Sequence, residues 1–181
     1  ETVVLTQAEK RAQLQEIGVH VVAPEFFSVT LCQNKQRLLE HLGALAITSL
    51  PSRLIYSFTE LQLAAESFGY PKKEVALKPL TGTGSRGFRI LSEDFSIYQQ
   101  TFCQRDQHRI NICQLKKMWP EKQQNLQPIM VMPYLSGEDY NIDVLCWQGK
   151  VIHCVIQQRL APKHGAIVEG QIVEDSDIIE Y

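Results

Sequence analysis

Three closely spaced glycines lie between two apolar runs near the middle of the chain. Gly82, Gly84 and Gly87 follow the run 75–77 and precede the run 88–91, and Lys78 comes directly after the first run. Glycine accepts positive φ and lets the backbone approach a ligand closely. The pattern therefore predicts a glycine loop that joins two strands, and this loop restricts the fold more than any other feature of the sequence.

The residues after the last glycine separate the known kinds of phosphate-binding loop. The spacing Gly-x-Gly-x-x-Gly matches the dinucleotide fingerprint, but that fingerprint needs a helix next, and here the chain continues Phe-Arg-Ile-Leu. Such a bulky run is typical of a strand. A P-loop is excluded, because no Lys-Ser or Lys-Thr follows the glycines. Two interpretations stay open: a flap that covers phosphates with its backbone N–H groups, and an ordinary glycine-rich hairpin turn.

Composition and charge narrow the class of protein. Of the 181 residues, 44% are hydrophobic and 21% are charged, as in soluble globular proteins. The formal net charge of -2 predicts no broad attraction to nucleic acid or to an anionic membrane. Five scattered cysteines without a C-x-x-C pair indicate reduced thiols and no zinc site. With no apolar stretch of membrane-spanning length and no signal segment, we expect a cytoplasmic protein whose oligomeric state is open.

The first half of the chain predicts a mixed α and β structure. Residues 2–5 form a short β-branched run that predicts a strand, and residues 19–22 predict a second one, with a helix over 8–17 between them and Gly18 as its stop. This order is typical of a fragment of an open α/β layer. Two further helices are expected, one over 34–42 with Gly43 past its end and one from the cap Ser57 to Phe68, with Glu60 as its capping-box partner.

The second half predicts mainly strands. Ser92 to Asp94 are expected to start a helix that carries Phe95, Tyr98 and Phe102, and the glutamine-rich region 104–127 is interpreted as a strand with an exposed loop. A buried strand is expected over 129–132, ending at Pro133, followed by a hairpin whose other elements are 140–147, the turn 148–149 and 150–157. Residues 162–170 are interpreted as a loop, and 174–177 as the start of a helix.

Five separated motifs follow one another along the chain: Asn34-Lys35, Gly69-Tyr70-Pro71, Ala76-Leu77-Lys78-Pro79, Thr81 to Gly87, and Met132 to Asp143. Their order and spacing resemble the ATP-grasp superfamily, in particular the branch of the carbamoyl-phosphate synthetase large chain. The resemblance covers roughly residues 19–170 and implies an α+β ATP-grasp fold in which a nucleotide lies between two α+β subdomains. Residues 1–32 are then expected to be the remnant of an α/β pre-ATP-grasp domain, and residues 33–181 the ATP-grasp domain.

The resemblance also implies roles for individual residues. Lys78 and Lys35 correspond to basic residues that contact ATP phosphate, although Lys35 stands in an Asn-Lys pair where Asp-Lys is common. A lysine ammonium suits this role as a compact point charge. The flap is expected to approach the phosphates through Thr83, Gly84, Ser85, Arg86 and Gly87.

The segment after the buried strand resembles the hinge at which the family recognises adenine by backbone groups. It comprises Met132, Pro133, Tyr134 and Leu135, and it departs from the family by lacking an acidic residue. Proline removes one N–H but leaves its carbonyl, so a carbonyl of Met132 or Pro133 and the N–H of Leu135 remain suitable. Asp139 corresponds to the polar residue that binds ribose hydroxyls, and the neighbouring Glu138 is the alternative candidate for this role.

The implied chemistry is that of a ligase whose metal ligands are missing from this sequence. Arg159 falls near a family position that handles an anionic substrate or intermediate, and it is the one catalytic candidate. ATP-grasp ligases hold Mg²⁺ through a carboxylate and a later Glu-x-Asn strand, and neither arrangement is found before Tyr181. The parent enzyme is expected to use ATP to activate a small-molecule carboxylate as an acyl phosphate for an amine or similar nucleophile.

The missing metal strands leave two other hypotheses open. The chain alone is expected to be inactive, so one alternative is a catalytically incomplete nucleotide-binding module with a sensing or scaffolding role. A further alternative is an unrelated α+β domain in which the glycine loop is only a turn. Binding of ATP with magnesium separates this last hypothesis from the other two.

Overall fold

The elements of the chain follow one another as helices first and mainly strands later in a computed structural model, which describes residues 2–82, 84–94, 98, 102, 108–120, 127–163 and 166–180. The helices are α1 (Thr2–Glu9), α2 (Arg11–Glu16), α3 (Phe26–Gln33), α4 (Lys35–Ala44), α5 (Phe58–Ser67), α6 (Ile112–Met118) and α7 (Ser176–Glu180). The strands are β1 (Arg53–Ile55), β2 (Val75–Pro79), β3 (Arg89–Leu91), β4 (Arg109–Ile110), β5 (Ile129–Pro133), β6 (Tyr140–Trp147), β7 (Lys150–Lys163) and β8 (Ala166–Val173). No helix in these described ranges is long and apolar enough to cross a membrane.

Two compact units divide the chain. The first contains Glu1–Gly82 and Gly87–Tyr134, and the second contains Thr83–Arg86 and Leu135–Tyr181. The first unit holds a five-stranded sheet in the order β1-β5-β2-β3-β4, and the second holds the three-stranded sheet β6-β7-β8. All pairings are antiparallel except that of β3 with β4.

Strand alternation gives the five-stranded sheet two different apolar faces. One face carries Val75, Leu77 and Val131, and it packs with the helix residues Leu61 and Ala65 in the larger core. The other face carries a smaller cluster with partly buried residues from α4 and the glycine loop around it: Ala76, Met130, Met132, Leu39, Leu50, Leu80, Phe88 and Tyr134. Because successive strand residues point to opposite faces, Lys78 lies on the face of this smaller cluster.

The helix α5 begins with the predicted cap. The Ser57 hydroxyl accepts from the N–H of Glu60 at 3.2 Å, and the Glu60 carboxylate accepts from the N–H of Tyr56 at 2.6 Å. The two residues therefore satisfy backbone N–H groups at this terminus, as the capping-box pattern requires. The capping prediction is confirmed, with the return bond one residue earlier than the standard motif.

An ion pair links β4 to the start of β2 across the intervening strand β3. The guanidinium of Arg109 donates to both oxygens of Glu74, at 2.7 and 3.1 Å. These hydrogen bonds hold the pKa of Glu74 below its ordinary value, against the opposing effect of partial burial. The stabilisation is therefore fully present above the pKa of an unfolded glutamate, about 4.3, and is lost as pH falls through the lower folded-state pKa.

Replacing Glu74 by glutamine is accordingly expected to lower the free energy of unfolding by about 1–2 kcal/mol at pH 7. The difference from the original protein should shrink as pH falls below the pKa of an unfolded glutamate, about 4.3, and should disappear only below the lower folded-state pKa, where the carboxylate is protonated in both states. Urea unfolding at several pH values measures this. Glu66→Gln, at an exposed position on α5, is the control and should change stability little at any pH; an equal loss in both variants would contradict the assignment.

The predicted strands near the N-terminus are wrong. Residues 2–5 lie in α1, which packs against α3, and residues 19–22 have no regular structure. A β-branched run becomes a strand only where it packs beside another strand, and Val22 is 94% exposed. The predicted helix over 8–17 is two helices divided at Lys10. The assignment of residues 1–32 to a remnant domain stays a prediction.

Three other predictions need correction. Residues 162–170 are mostly strand, not loop, because β7 continues to Lys163 and β8 begins at Ala166. The region 104–127 contains the expected strand as β4, but it also contains the unpredicted helix α6. Gly43 lies inside α4 and not beyond its end. Of the predicted helix from Ser92, Ser92–Asp94 are not helical, Tyr98 and Phe102 are, and Phe95 lies outside the described residues.

Candidate functional site

Lys78 is the second-to-last residue of β2, just before the glycine loop. It pairs with Met130 across the sheet, and its Nζ lies 5.8 Å from the centroid of the Phe88 ring. That separation is within the range of a cation–π contact. The ammonium is therefore held at the border between the smaller apolar cluster and the loop, where nearby apolar groups reduce its contact with water.

Lys35 is fixed to the same loop by two hydrogen bonds. Its backbone N–H donates to the carbonyl of Leu80 at 3.2 Å, and its Nζ donates to the carbonyl of Gly82 at 3.1 Å. The Asn34 side chain caps α4 by accepting from the N–H groups of Gln36 and Arg37. The first backbone donors of this helix are thus already used, so the side chain of Lys35 is what the helix terminus offers to an anion.

The glycine loop adopts the backbone conformations that its sequence predicts. Gly82, Gly84 and Gly87 have φ of 107, 65 and 78°, and Ser85 also has a positive φ of 55°. A Cβ on Gly87 would lie 2.6 Å from Cγ of Pro79, so the two ends of the loop touch. Strands β2 and β3 form the expected antiparallel hairpin on either side. Thr83 lies outside the described residues, and Gly84, Ser85 and Arg86 belong to the second unit.

The predicted hinge coincides with the passage of the chain from the first unit to the second. Met132 is buried, Pro133 ends β5, and the N–H of Tyr134 donates to the carbonyl of Glu74 at 3.3 Å. The backbone of Tyr134 is thereby tied to the sheet. Leu135 follows as an exposed residue and begins the second unit.

Asp139 and Arg159 contact each other in the second unit. Nη1 of Arg159 lies 3.0 Å from Oδ2 of Asp139, and the backbone N–H of Arg159 donates to the Asp139 carbonyl at 2.7 Å. The Asp139 side chain is 59% exposed and that of Arg159 is 18% exposed. Sequence reasoning gave these residues separate roles, and the structure joins them as a pair.

Sequence reasoning missed a polar network beside this pair. The carboxylate of Asp143 accepts from the side-chain amides of Asn141 and Gln157, at 2.9 and 3.2 Å. The period-two alternation of β6 places Asn141 and Asp143 on one face, and Asp139 directly precedes this strand. Nearby, the Tyr140 hydroxyl donates to Glu138, and this hydrogen bond raises the pKa of Tyr140.

Among the described residues, no group of three or more His, Cys, Asp or Glu side chains is arranged to hold a metal ion.

A search against protein-family models finds no match to the chain.

Two curated proteins are similar in sequence. The arginine-specific carbamoyl phosphate synthase large chain of Halalkalibacterium halodurans is 24% identical over 132 residues, which are 73% of this chain and 11% of that protein. The carbamoyl phosphate synthase large chain of Methanothermobacter thermautotrophicus is 26% identical over 134 residues, which are 74% of this chain and 11% of that protein. The chain thus spans about a tenth of the length of the curated relatives that it matches.

A solved structure of a different enzyme has the same fold. The D-alanyl-alanine synthetase A of Vibrio cholerae superposes with a TM-score of 0.55 at 13% identity, covering 92% of this chain and 48% of that one. Sequence identity at this level shows the fold alone. The shared fold agrees with the order of motifs in the sequence. The chain therefore has an ATP-grasp fold and resembles a part of the carbamoyl phosphate synthase large chain.

Proposed function

We propose that this chain is the ATP-binding portion of an ATP-grasp ligase. The observation that carries the proposal is the pair of lysines at the glycine loop, Lys78 directly before it and Lys35 bonded to its Gly82 carbonyl. The curated relatives are carbamoyl phosphate synthases and the solved structure is a D-alanyl-alanine synthetase. These names are those of a synthase and a synthetase, which supports an ATP-dependent ligase as the parent enzyme.

The lysines are proposed to bind the phosphates of ATP. An ammonium forms strong charge-assisted hydrogen bonds with phosphate oxygens, and each lysine has three donors. Lys35 therefore retains two donors after its bond to Gly82. The flap residues Thr83, Gly84, Ser85, Arg86 and Gly87 are proposed to lie over the phosphates.

The adenine is proposed to bind at the segment 132–135. Binding sites for small molecules are largely apolar, with a few well-placed polar groups. Leu80, Phe88 and Tyr134, which are partly buried against the cluster of Ala76, Met130 and Met132, supply apolar groups here. The backbone of Met132, Pro133 and Leu135 supplies the polar groups, since the N–H of Tyr134 is already bonded to Glu74.

Asp139 is proposed to bind the ribose, and Arg159 an anionic substrate or intermediate. The contact between them uses Nη1 of Arg159 and Oδ2 of Asp139. This contact orients the two side chains relative to each other, and Oδ1 of Asp139 is proposed to accept from a ribose hydroxyl. A fixed guanidinium stabilises negative charge without first reorganising, which is the main electrostatic requirement in such reactions.

The proposed reaction is the activation of a small-molecule carboxylate as an acyl phosphate, followed by attack of an amine or similar nucleophile. In it, the carboxylate oxygen bonds to the γ-phosphorus and ADP leaves; the nucleophile then displaces phosphate. ATP-grasp ligases use Mg²⁺ to neutralise phosphate charge. The ligands of this Mg²⁺ are proposed to lie outside this chain. The protein is proposed to be cytoplasmic.

Binding of ATP tests the proposal directly. We expect ATP with magnesium to raise the unfolding temperature of the protein, since a ligand at 100 times its Kd stabilises the folded state by about 2.7 kcal/mol. Thermal unfolding with increasing ATP, with GTP as the control for base recognition, measures this. No shift with millimolar ATP, or the same shift with both nucleotides, would contradict a specific ATP site.

A further inference from the structure

A polar row occupies one face of the β6–β7 hairpin. It consists of Asp139, which precedes β6, Asn141 and Asp143 of β6, and Gln157 and Arg159 of β7. Alternate residues of a strand share a face, and Asn141 pairs directly with Gln157 in the register of the two strands. Their side chains therefore project side by side from the sheet.

Hydrogen bonds fix the orientation of both amides in this row. Asp143 accepts from Nδ2 of Asn141 at 2.9 Å and from Nε2 of Gln157 at 3.2 Å. An ionised carboxylate only accepts hydrogen bonds, so both amides must turn their NH₂ groups toward Asp143. Their carbonyl oxygens are then presented as acceptors. Asp139 adds a third acceptor, its Oδ1, since Arg159 contacts its Oδ2.

The charges of the row indicate which ligand suits these acceptors. The guanidinium of Arg159 offsets the charge of Asp139, and the carboxylate of Asp143 is occupied by two amide donors. A neutral group that carries hydroxyl donors therefore fits the row better than an ammonium or an anion. Two adjacent acceptors on paired strands suit two adjacent hydroxyl groups.

We propose that Asn141 and Gln157 bind the vicinal hydroxyls of the ribose of ATP beside Asp139, and that Asp143 is the positioning residue that orients both amides. This rests on the proposed function, and it extends ribose recognition from one carboxylate to a three-residue row. Truncating either amide removes an acceptor for a hydroxyl. Truncating Asp143 leaves the acceptors in place but releases their orientation.

Adjacent glutamines on β7 provide a matched test. Gln157 lies in the polar row, whereas Gln158 pairs with Tyr140 and points to the opposite face. Calorimetric titrations with ATP, 2′-deoxyATP and 3′-deoxyATP are compared for the original protein, Gln157→Met and Gln158→Met. The original protein is expected to prefer ATP over the deoxy nucleotides, and Gln157→Met to weaken ATP binding about fivefold to tenfold, the value of one hydrogen bond.

The deciding quantity is the preference for ATP over its deoxy analogues. Gln157→Met should lose most of the preference for ATP over at least one deoxy analogue, because ATP binds more weakly while that analogue binds as before. Gln158→Met should keep the full preference. Asp143→Ala should lose it as well, with the fold checked by thermal unfolding. An equal loss for all three nucleotides would show a structural role and overturn the inference, as would an original protein that binds all three equally. An original protein that binds none of them would overturn the proposed function itself.

Discussion

Replacing Lys78 by alanine is expected to weaken the binding of ATP about 100-fold, because a charge-assisted hydrogen bond to phosphate contributes about 2–3 kcal/mol. The ammonium stands at the end of β2, against the Phe88 ring and on the face of the smaller apolar cluster. Apolar neighbours lower the local dielectric and strengthen the attraction between an ammonium and a phosphate. Calorimetric titration with ATP and magnesium measures the change in Kd.

Two controls separate this effect from a general loss of positive charge. Lys72 is an exposed lysine in the same unit, and Lys72→Ala should leave the Kd within about twofold, since isolated surface charges contribute little. Lys78→Arg keeps the charge but alters its shape, so it should recover only part of the affinity. If Lys78→Ala binds ATP as tightly as Lys72→Ala does, Lys78 does not contact the phosphates.

The predictions that succeeded rest on local signals. Each of these features depends on a few adjacent residues: the cap at Ser57 and Glu60, the positive φ of the three glycines, and the turn at Gln148 and Gly149. The backbone needs of caps and turns select particular residue types. Among these signals, the three glycines form the loop that follows Lys78, so the placement of Lys78 beside a glycine loop could be predicted from the sequence.

The N-terminal predictions failed because strand formation is not a local property. Residues 2–4 are β-branched, and in a sheet they would pack well. In the structure their neighbour is α3, so the same residues form a helix whose Ala8 is buried. A short apolar run fits either state, and the neighbour that decides between them lies some twenty residues further along the chain.

The polar row was missed because its composition depends on one β-bulge. The register of β6 and β7 shifts between Leu145 and Cys146. Counting back from the Trp147–Lys150 pair without the bulge would place Ile156 opposite Asn141, where the structure has Gln157. A shift of one residue moves every side chain to the other face of a strand. Nothing in the local sequence marks this bulge, so the row could not be assembled before the register was known.

Replacing Gly87 by alanine is expected to lower the free energy of unfolding by about 2–4 kcal/mol, from the cost of positive φ and of steric overlap together. Gly87 has a φ of 78°, and a Cβ at this position would lie 2.6 Å from Cγ of Pro79. The ring of Pro79 cannot rotate away as a flexible side chain does. The substitution therefore separates the two ends of the glycine loop, and urea unfolding measures the loss.

Gly82 allows the two contributions to be separated. It has a φ of 107°, but a Cβ there would meet no atom within 4 Å, so Gly82→Ala carries only the conformational cost of about 1–2 kcal/mol. The excess loss in Gly87→Ala measures the overlap with Pro79. That excess should disappear in the double variant Pro79→Ala with Gly87→Ala, since residues in contact are not additive. Equal losses at Gly82 and Gly87 would show that the loop ends do not need their close contact. A specific loss at Gly87 would show that the two ends of the glycine loop are in contact in the folded protein, next to Lys78 near the end of β2.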